Sequence, residues 1–165
     1  RSRCARSRSS RSAGGGEAAT RPFVAAAVLV TADGRALVLR RRPDDRSFAH
    51  RWCVPGGGVE PHDASIEGTA LREAREETGL DVALERALGV REVRTPDRAL
   101  SFSIHMFVAS SACAEVRLGD EHVAYRWLDR AAAADADATL PGGLAGEATC
   151  ELLARFARGE LPPRG

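Results

Sequence analysis

Apolar and polar positions alternate along this chain in segments of different period. Phe23 to Thr31 is a short apolar run, and Arg35 to Arg40 sets Leu37 and Leu39 on one face. Ala32-Asp33-Gly34 lies between them and carries an Asp-Gly turn signal, so the pair reads as a hairpin. After a polar loop, Arg51 to Val54 reads as a short strand that stops at Pro55-Gly56-Gly57-Gly58. Ser65 to Thr78 changes to helical spacing: Ser65 is a candidate N-cap, Ala70, Leu71 and Ala74 form an apolar stripe, and Gly79 suits the left-handed position past the end. Two strands follow, around Ala87 to Val93 and Leu100 to Val108. In the second, Leu100, Phe102, Ile104, Met106 and Val108 share a face. Ala124 to Leu128 predicts a further strand, Asp129 to Ala134 a short helix and Glu147 to Arg158 a last one. Strands and helices mixed in this order, with hairpin-type links, argue for α+β or a mixed-sheet sandwich over a doubly wound sheet.

Composition adds a boundary. Residues 1–22 are rich in Arg, Ser, Ala and Gly and cannot bury enough apolar surface to offset their ordering entropy, so they read as a disordered tail. Residues 23–165 then form one domain, a size that supports its own core. The chain begins at Arg1 rather than Met, as a fragment or a processed form would. An Arg/Ser-rich, acid-poor tail also resembles an organelle transit peptide, which sets an organellar location against the default cytoplasmic one. No apolar run approaches the roughly 20 residues that span a bilayer, so no membrane partner is expected. Cys4, Cys53, Cys113 and Cys150 show no metal-ligand spacing. They read as free thiols in a reducing compartment, Cys53 and Cys113 serving as small hydrophobes.

Charge narrows the partner. Six arginines and one acid, Glu17, fall in residues 1–22, so a formal +1 for the whole chain leaves the domain net acidic. Duplex nucleic acid requires a basic face, and no nucleic-acid polymer is expected. Phosphates still bind an acidic protein when a cation stands between them.

Such a cation would suit Arg72-Glu73-Ala74-Arg75-Glu76-Glu77. On a helix Glu73, Glu76 and Glu77 stand at i, i+3 and i+4 and share one face. Like charges at that spacing repel, and the C-terminal end of a helix disfavours anions. A divalent cation reverses both effects, and hard carboxylate oxygens are the ligands Mg²⁺ takes. The bland alternative is a solvated acidic face relieved by Arg72 and Arg75. Gly56-Gly57-Gly58 upstream shifts the balance, because backbone without side chains can approach a phosphate or a metal.

Gly57 through Leu80 resembles the Nudix box, G-x5-E-x7-R-E-U-x-E-E-x-G-U with U apolar. Gly57 matches the box glycine, and Arg72 to Leu80 fits the remainder. Asp63 stands where the first Glu belongs, and eight residues rather than seven separate it from Arg72. With the spare residue placed before Ser65, these departures bear on the loop's salt bridge and shape and leave the helix register intact. The resemblance implies a Nudix-type α/β/α sandwich with mixed sheet, and water attack on a diphosphate linkage with Mg²⁺ as cofactor, Mn²⁺ being the alternative. It implies Glu76 and Glu77 as main metal ligands, Glu73 as a further ligand or the base, the Gly57 carbonyl completing the metal shell, and Arg72 positioning Glu73. A nucleoside-diphosphate-linked small molecule is the implied substrate: an oxidised or ordinary (d)NTP, a dinucleoside polyphosphate or a nucleotide sugar. The competing implication is a Nudix-fold module that senses a nucleotide without cleaving it. Such modules typically lose box carboxylates, and all three are present here.

Glu121-His122-Val123-Ala124-Tyr125-Arg126-Trp127-Leu128 is similar to a stretch in Nudix enzymes that act on diadenosine polyphosphates and in several others that act on nucleoside triphosphates. Glu121 is accordingly a candidate distal metal ligand or base. His122 alone reads as a surface or loop residue. Tyr125 and Trp127 read as core, with Tyr125 retained as a candidate substrate contact. Arg40, Arg41 and Arg42 at a strand end, together with Gly56 and Gly57, are candidate phosphate contacts. A homodimer is left open by the sequence.

Overall fold

The computed structural model describes residues 23–94 and 100–161. The tail read as disordered, with Cys4, lies outside the described residues. The chain runs β1 (Phe23–Ala32), β2 (Arg35–Arg41), β3 (Trp52–Cys53), β4 (Gly56–Gly58), α1 (Ile66–Thr78), β5 (Val82–Arg94), β6 (Ser101–Ser111), β7 (His122–Leu128), α2 (Arg130–Ala134), α3 (Ala136–Thr139) and α4 (Gly146–Ala157).

The hairpin expected at Asp33-Gly34 is present. Both turn residues take positive φ, 50° and 73°, as a two-residue turn between twisted strands requires. β1 and β2 pair only beside that turn, through Thr31–Ala36 and Ala32–Arg35. Farther back β1 is free to accept β4, which pairs antiparallel with Ala25 to Ala27. Gly56-Gly57-Gly58 is therefore more than the strand stop read from the sequence. A side chain at Gly56 would run into the Ala26 carbonyl, so glycine is needed for this approach. β2 is flanked by β3 and β7, and β1 runs parallel to β6, which in turn pairs antiparallel with β5. The result is the mixed α+β sheet that the sequence predicts.

Residues on the two faces of the sheet enter two cores. Leu29, Val38, Trp52, Met106 and Val108 pack with Leu152, Leu153 and Phe156 of α4 on one side. Val28, Val30, Leu37, Leu39 and Phe107 pack with Ala70 and Ala74 of α1 on the other. Helices thus cover both faces and give the α/β/α sandwich. Among the described residues no helix is long and apolar enough to cross a membrane.

Several sequence expectations need correction. β5 begins at Val82 rather than near Ala87, and two register shifts carry it along β6. Leu100 precedes β6 and is exposed. The inner half of β6 is buried on both faces, so its period-two pattern breaks at Phe107. Tyr125 is 40% exposed rather than core, and Cys113 is exposed. Trp127 does pack against the second core, its indole N–H donating to the Ala114 carbonyl.

Candidate active site

Helix α1 has the ends its sequence requires. Ser65 Oγ accepts from the Gly68 N–H at 3.0 Å, and Gly79 at φ 69° donates its N–H to the Arg75 carbonyl. These caps fix the register, so Glu73 and Glu77 reach β4 at Gly57 and Gly56, while Glu76 lies exposed beside Arg72. The 117–119 segment closes the helix from outside: Arg117 N–H donates to Thr78 O and Gly119 N–H to Glu77 O. A side chain at Gly119 would strike the Glu76 carbonyl, which makes this glycine part of the frame.

Arg72 is the hub of the box. Its Nε and Nη2 form a two-point pair with Asp63 at 2.9 Å each, Nη1 reaches Glu73 at 2.8 Å and Glu76 at 3.1 Å, and Nη2 also donates to the Gly58 carbonyl. Asp63 further accepts from Thr69 Oγ1 and the Glu60 N–H. The Arg72 fork holds the Asp63 carboxyl well below the usual carboxylate range. The shorter Asp therefore keeps the loop's salt bridge.

Glu77 has a different environment. It is 5% exposed, and its Oε2 accepts from the Gly56 N–H at 2.9 Å. Burial pushes its carboxyl up to about 8, with the neighbouring charges of Glu73 and Glu121 adding to the rise against the Gly56 bond. Burial also raises Glu73. A side chain at Gly57 would overlap the Glu73 carboxylate, so backbone and carboxylate lie in contact there.

His122, read from sequence as a surface residue, is buried instead. Its Nδ1 faces Glu77 Oε1 at 4.0 Å and its Nε2 lies 3.5 Å from Cys53 Sγ. Burial, then the charge of Arg41, lowers His122 to about 4, while burial and Glu77 push the Cys53 thiol up to about 12. Both are neutral near pH 7. The sequence offered one signal for His122, its place directly after Glu121.

A cleft of about 1230 Å³ opens above these groups, lined among others by Gly56–Gly58, Glu73, Glu121, Arg41, Arg42 and Phe102. Arg41 bonds Asp45 at 2.7 Å and lies 3.3 Å from Glu121. Arg42 pairs with Asp44 at 2.9 Å. Arg40 and Arg41 are successive residues of β2 and so point to opposite faces, and Arg40 Nε donates to the His50 carbonyl. Neither Arg40 nor Tyr125 lines the cleft. Of the residues singled out from sequence, the fold thus gathers Gly56, Gly57, Glu73, Glu77, Glu121, Arg41 and Arg42 around the cleft and its floor. Arg72 and Glu76 do not line it.

Among the described residues no three acidic, His or Cys side chains converge closely enough to enclose a metal ion. Arg72 Nη1 holds Glu73 and Glu76 together on one guanidinium nitrogen. The donor set nevertheless fits a hard divalent cation. Glu77 is a buried carboxylate bonded only to a backbone N–H, and two further carboxylates raise its proton affinity.

The sequence and fold are similar to those of known proteins. The chain is 40% identical over 83 residues to the mouse bis(5'-nucleosyl)-tetraphosphatase [asymmetrical], a match over 48% of this chain and 56% of that protein. A shorter stretch of 45 residues is 49% identical to mouse diphosphoinositol polyphosphate phosphohydrolase 3-alpha, covering 27% of each. The chain spans about half the length, or less, of the curated relatives it matches. The solved MutT protein of Methanosarcina mazei Go1 is similar in fold, with a TM-score of 0.68 at 27% identity over 85% of this chain and 96% of that one. The NUDIX domain model matches residues 20–145, and with three-quarters of its length inside that match the chain belongs to the NUDIX domain family.

Proposed function

We propose that this protein is a Mg²⁺-dependent hydrolase, with Mn²⁺ able to substitute, that cleaves a diphosphate linkage in a nucleoside-diphosphate-linked small molecule. The observation that carries the reading is Glu77: a buried carboxylate tied to the N–H of Gly56, which lines the cleft, and crowded by Glu73 and Glu121. A buried acid in such company has its charge compensated once a cation binds.

Glu76 and Glu77 would hold the metal, with Glu73 and the Gly57 carbonyl as further ligands. When bound, the metal supplies charge neutralisation and a more acidic water. The chain's own residues do the rest. Arg72 fixes the loop and sets Glu73 and Glu76 in place through charged hydrogen bonds. Arg41 and Arg42, which line the cleft, would bind phosphate oxygens. Glu73 or Glu121 accepts the proton of the attacking water, since both border the cleft.

Dinucleoside tetraphosphates head the substrate panel, because the mouse relative carries that activity in its name. The test is product release from dinucleoside tetraphosphates, (d)NTPs, oxidised nucleotides, nucleotide sugars and diphosphoinositol phosphates, with Mg²⁺ and with EDTA. EDTA-sensitive turnover of at least one nucleotide is expected. Tight nucleotide binding with no turnover of any member would favour the sensing module instead.

A further inference from the structure

Each of the three carboxylates on α1 has an orienting partner at one oxygen. Arg72 holds Glu73 and Glu76, and the Gly56 N–H holds Oε2 of Glu77. Oε1 of Glu77 is faced by His122 Nδ1, 4.0 Å away. Among the described residues that nitrogen is the buried side-chain polar atom left without a hydrogen-bond partner, and the side chain of His122 is wholly inaccessible. A buried polar atom left so is costly and calls for an explanation.

The other side of the ring supplies one. Cys53 Sγ stands 3.5 Å from His122 Nε2 and 3.7 Å from the Leu39 carbonyl. The thiol has one proton and so two arrangements. If it donates to Nε2, the imidazole proton sits on Nδ1 and points at Glu77. If it donates to Leu39, Nε2–H donates to sulfur and the Nδ1 lone pair faces Oε1. A metal-ligating carboxylate is ionised. Two acceptors facing each other in a buried site repel, so the first arrangement is the stable one. Closing 4.0 Å to a hydrogen bond takes a shift of about 1 Å in the Glu77 side chain.

We infer that His122 is a positioning residue for Glu77: its Nδ1–H, fixed by the Cys53 thiol on Nε2, restrains Oε1 and holds the carboxylate ready for a divalent cation. The inference rests on Glu77 being a metal ligand, as proposed above. His122 would then do for the buried carboxylate what Arg72 does for the two exposed to it, at no cost in added charge. A neutral donor suits this place, because a second cation there would compete with the metal.

Two measurements on the full chain test it. The first is a long-range ¹H–¹⁵N correlation of the histidine rings with Mg²⁺ saturating. A protonated Nδ1 and unprotonated Nε2 at His122 are expected, with the preference lost in Cys53→Ala. The reverse tautomer in the wild type overturns the inference. The second is Mn²⁺ binding to substrate-free protein by electron paramagnetic resonance. His122→Asn places an amide near the former Nδ1, and His122→Gln places one near the former Nε2. The Asn variant should bind Mn²⁺ within about threefold of wild type and the Gln variant about tenfold more weakly. Equal loss in both, or loss in neither, overturns the positioning role. A wild type that binds no Mn²⁺ overturns the metal reading of Glu77 itself, which separates the two failures.

Discussion

Helices α1 and α4 cover opposite faces of one sheet and are nearly equal in length, yet they bury different things. α4 buries Ala148, Thr149, Leu152, Leu153 and Phe156, mostly large apolar side chains. α1 buries Thr69, Ala70, Ala74, Glu77 and Thr78, small or polar ones. The α4 face is ordinary core, where each side chain excludes water. The α1 face gives up apolar area to hold a carboxylate inside the protein, and it is kept in place by caps and by the Arg72 network. Stability and chemistry are thus assigned to different faces of the same sheet.

Three perturbations break or sharpen that division. The largest effect on folding belongs to α4. Phe156→Ala should cost about 3–5 kcal/mol by denaturant unfolding, with turnover per folded molecule unchanged. A comparable loss of kcat would show that the two faces are not separate. On the α1 side, Arg72→Lys keeps the charge but loses the fork that reaches Asp63, Glu73, Glu76 and Gly58 at once. It should lower kcat about 10- to 100-fold by steady-state kinetics, with a smaller effect on KM.

The smallest effect is in pH dependence without metal. Glu77 rises from 4.5 to about 8 on folding, so between those values the folded chain holds a proton that the unfolded chain has lost. Its contribution therefore falls as pH rises through that window. His122 is lowered from 6.5 to about 4, so its contribution rises with pH between 4 and 6.5 and opposes Glu77 there. Only from about pH 6.5 to 8 does Glu77 act without this opposition. Melting in EDTA should show Tm declining across that range, and Glu77→Gln should flatten the decline. A flat wild-type profile would contradict the buried, cation-free carboxylate.

The parts of this molecule that were legible in its sequence are those set by near neighbours. Ser65 and Gly79 bracket α1 because a cap acts within a turn of the helix. Asp33-Gly34 sets the hairpin through two adjacent positive φ angles. The spacing of Glu73, Glu76 and Glu77 is likewise local, and the family motif extended it to Gly57. What could not be read depends on distant parts of the chain. Three glycines carry no period, so the pairing of β4 with β1 was hidden. His122 is buried because β7 brings it between Cys53 and Glu77, residues from two other elements. Val123 is skipped in the pairing of β7 with β2, between Ala124 opposite Arg40 and His122 opposite Arg41, and no local signal marks that irregularity. Tyr125 alternates with Trp127 as a core residue would, but the surface it meets is open.

The central claim is that the α1 face performs metal-assisted hydrolysis through Glu77. Its most direct test is turnover of a dinucleoside tetraphosphate in ¹⁸O-enriched water, followed by ³¹P NMR, for wild type and Glu77→Gln. With Mg²⁺ the wild type should release two nucleotides, one carrying a single ¹⁸O on its new terminal phosphate, and EDTA should stop the reaction. The variant should stay folded and lose about three orders of magnitude in rate, roughly 4 kcal/mol of barrier. Undiminished label incorporation by Glu77→Gln, or turnover indifferent to EDTA, would contradict the account.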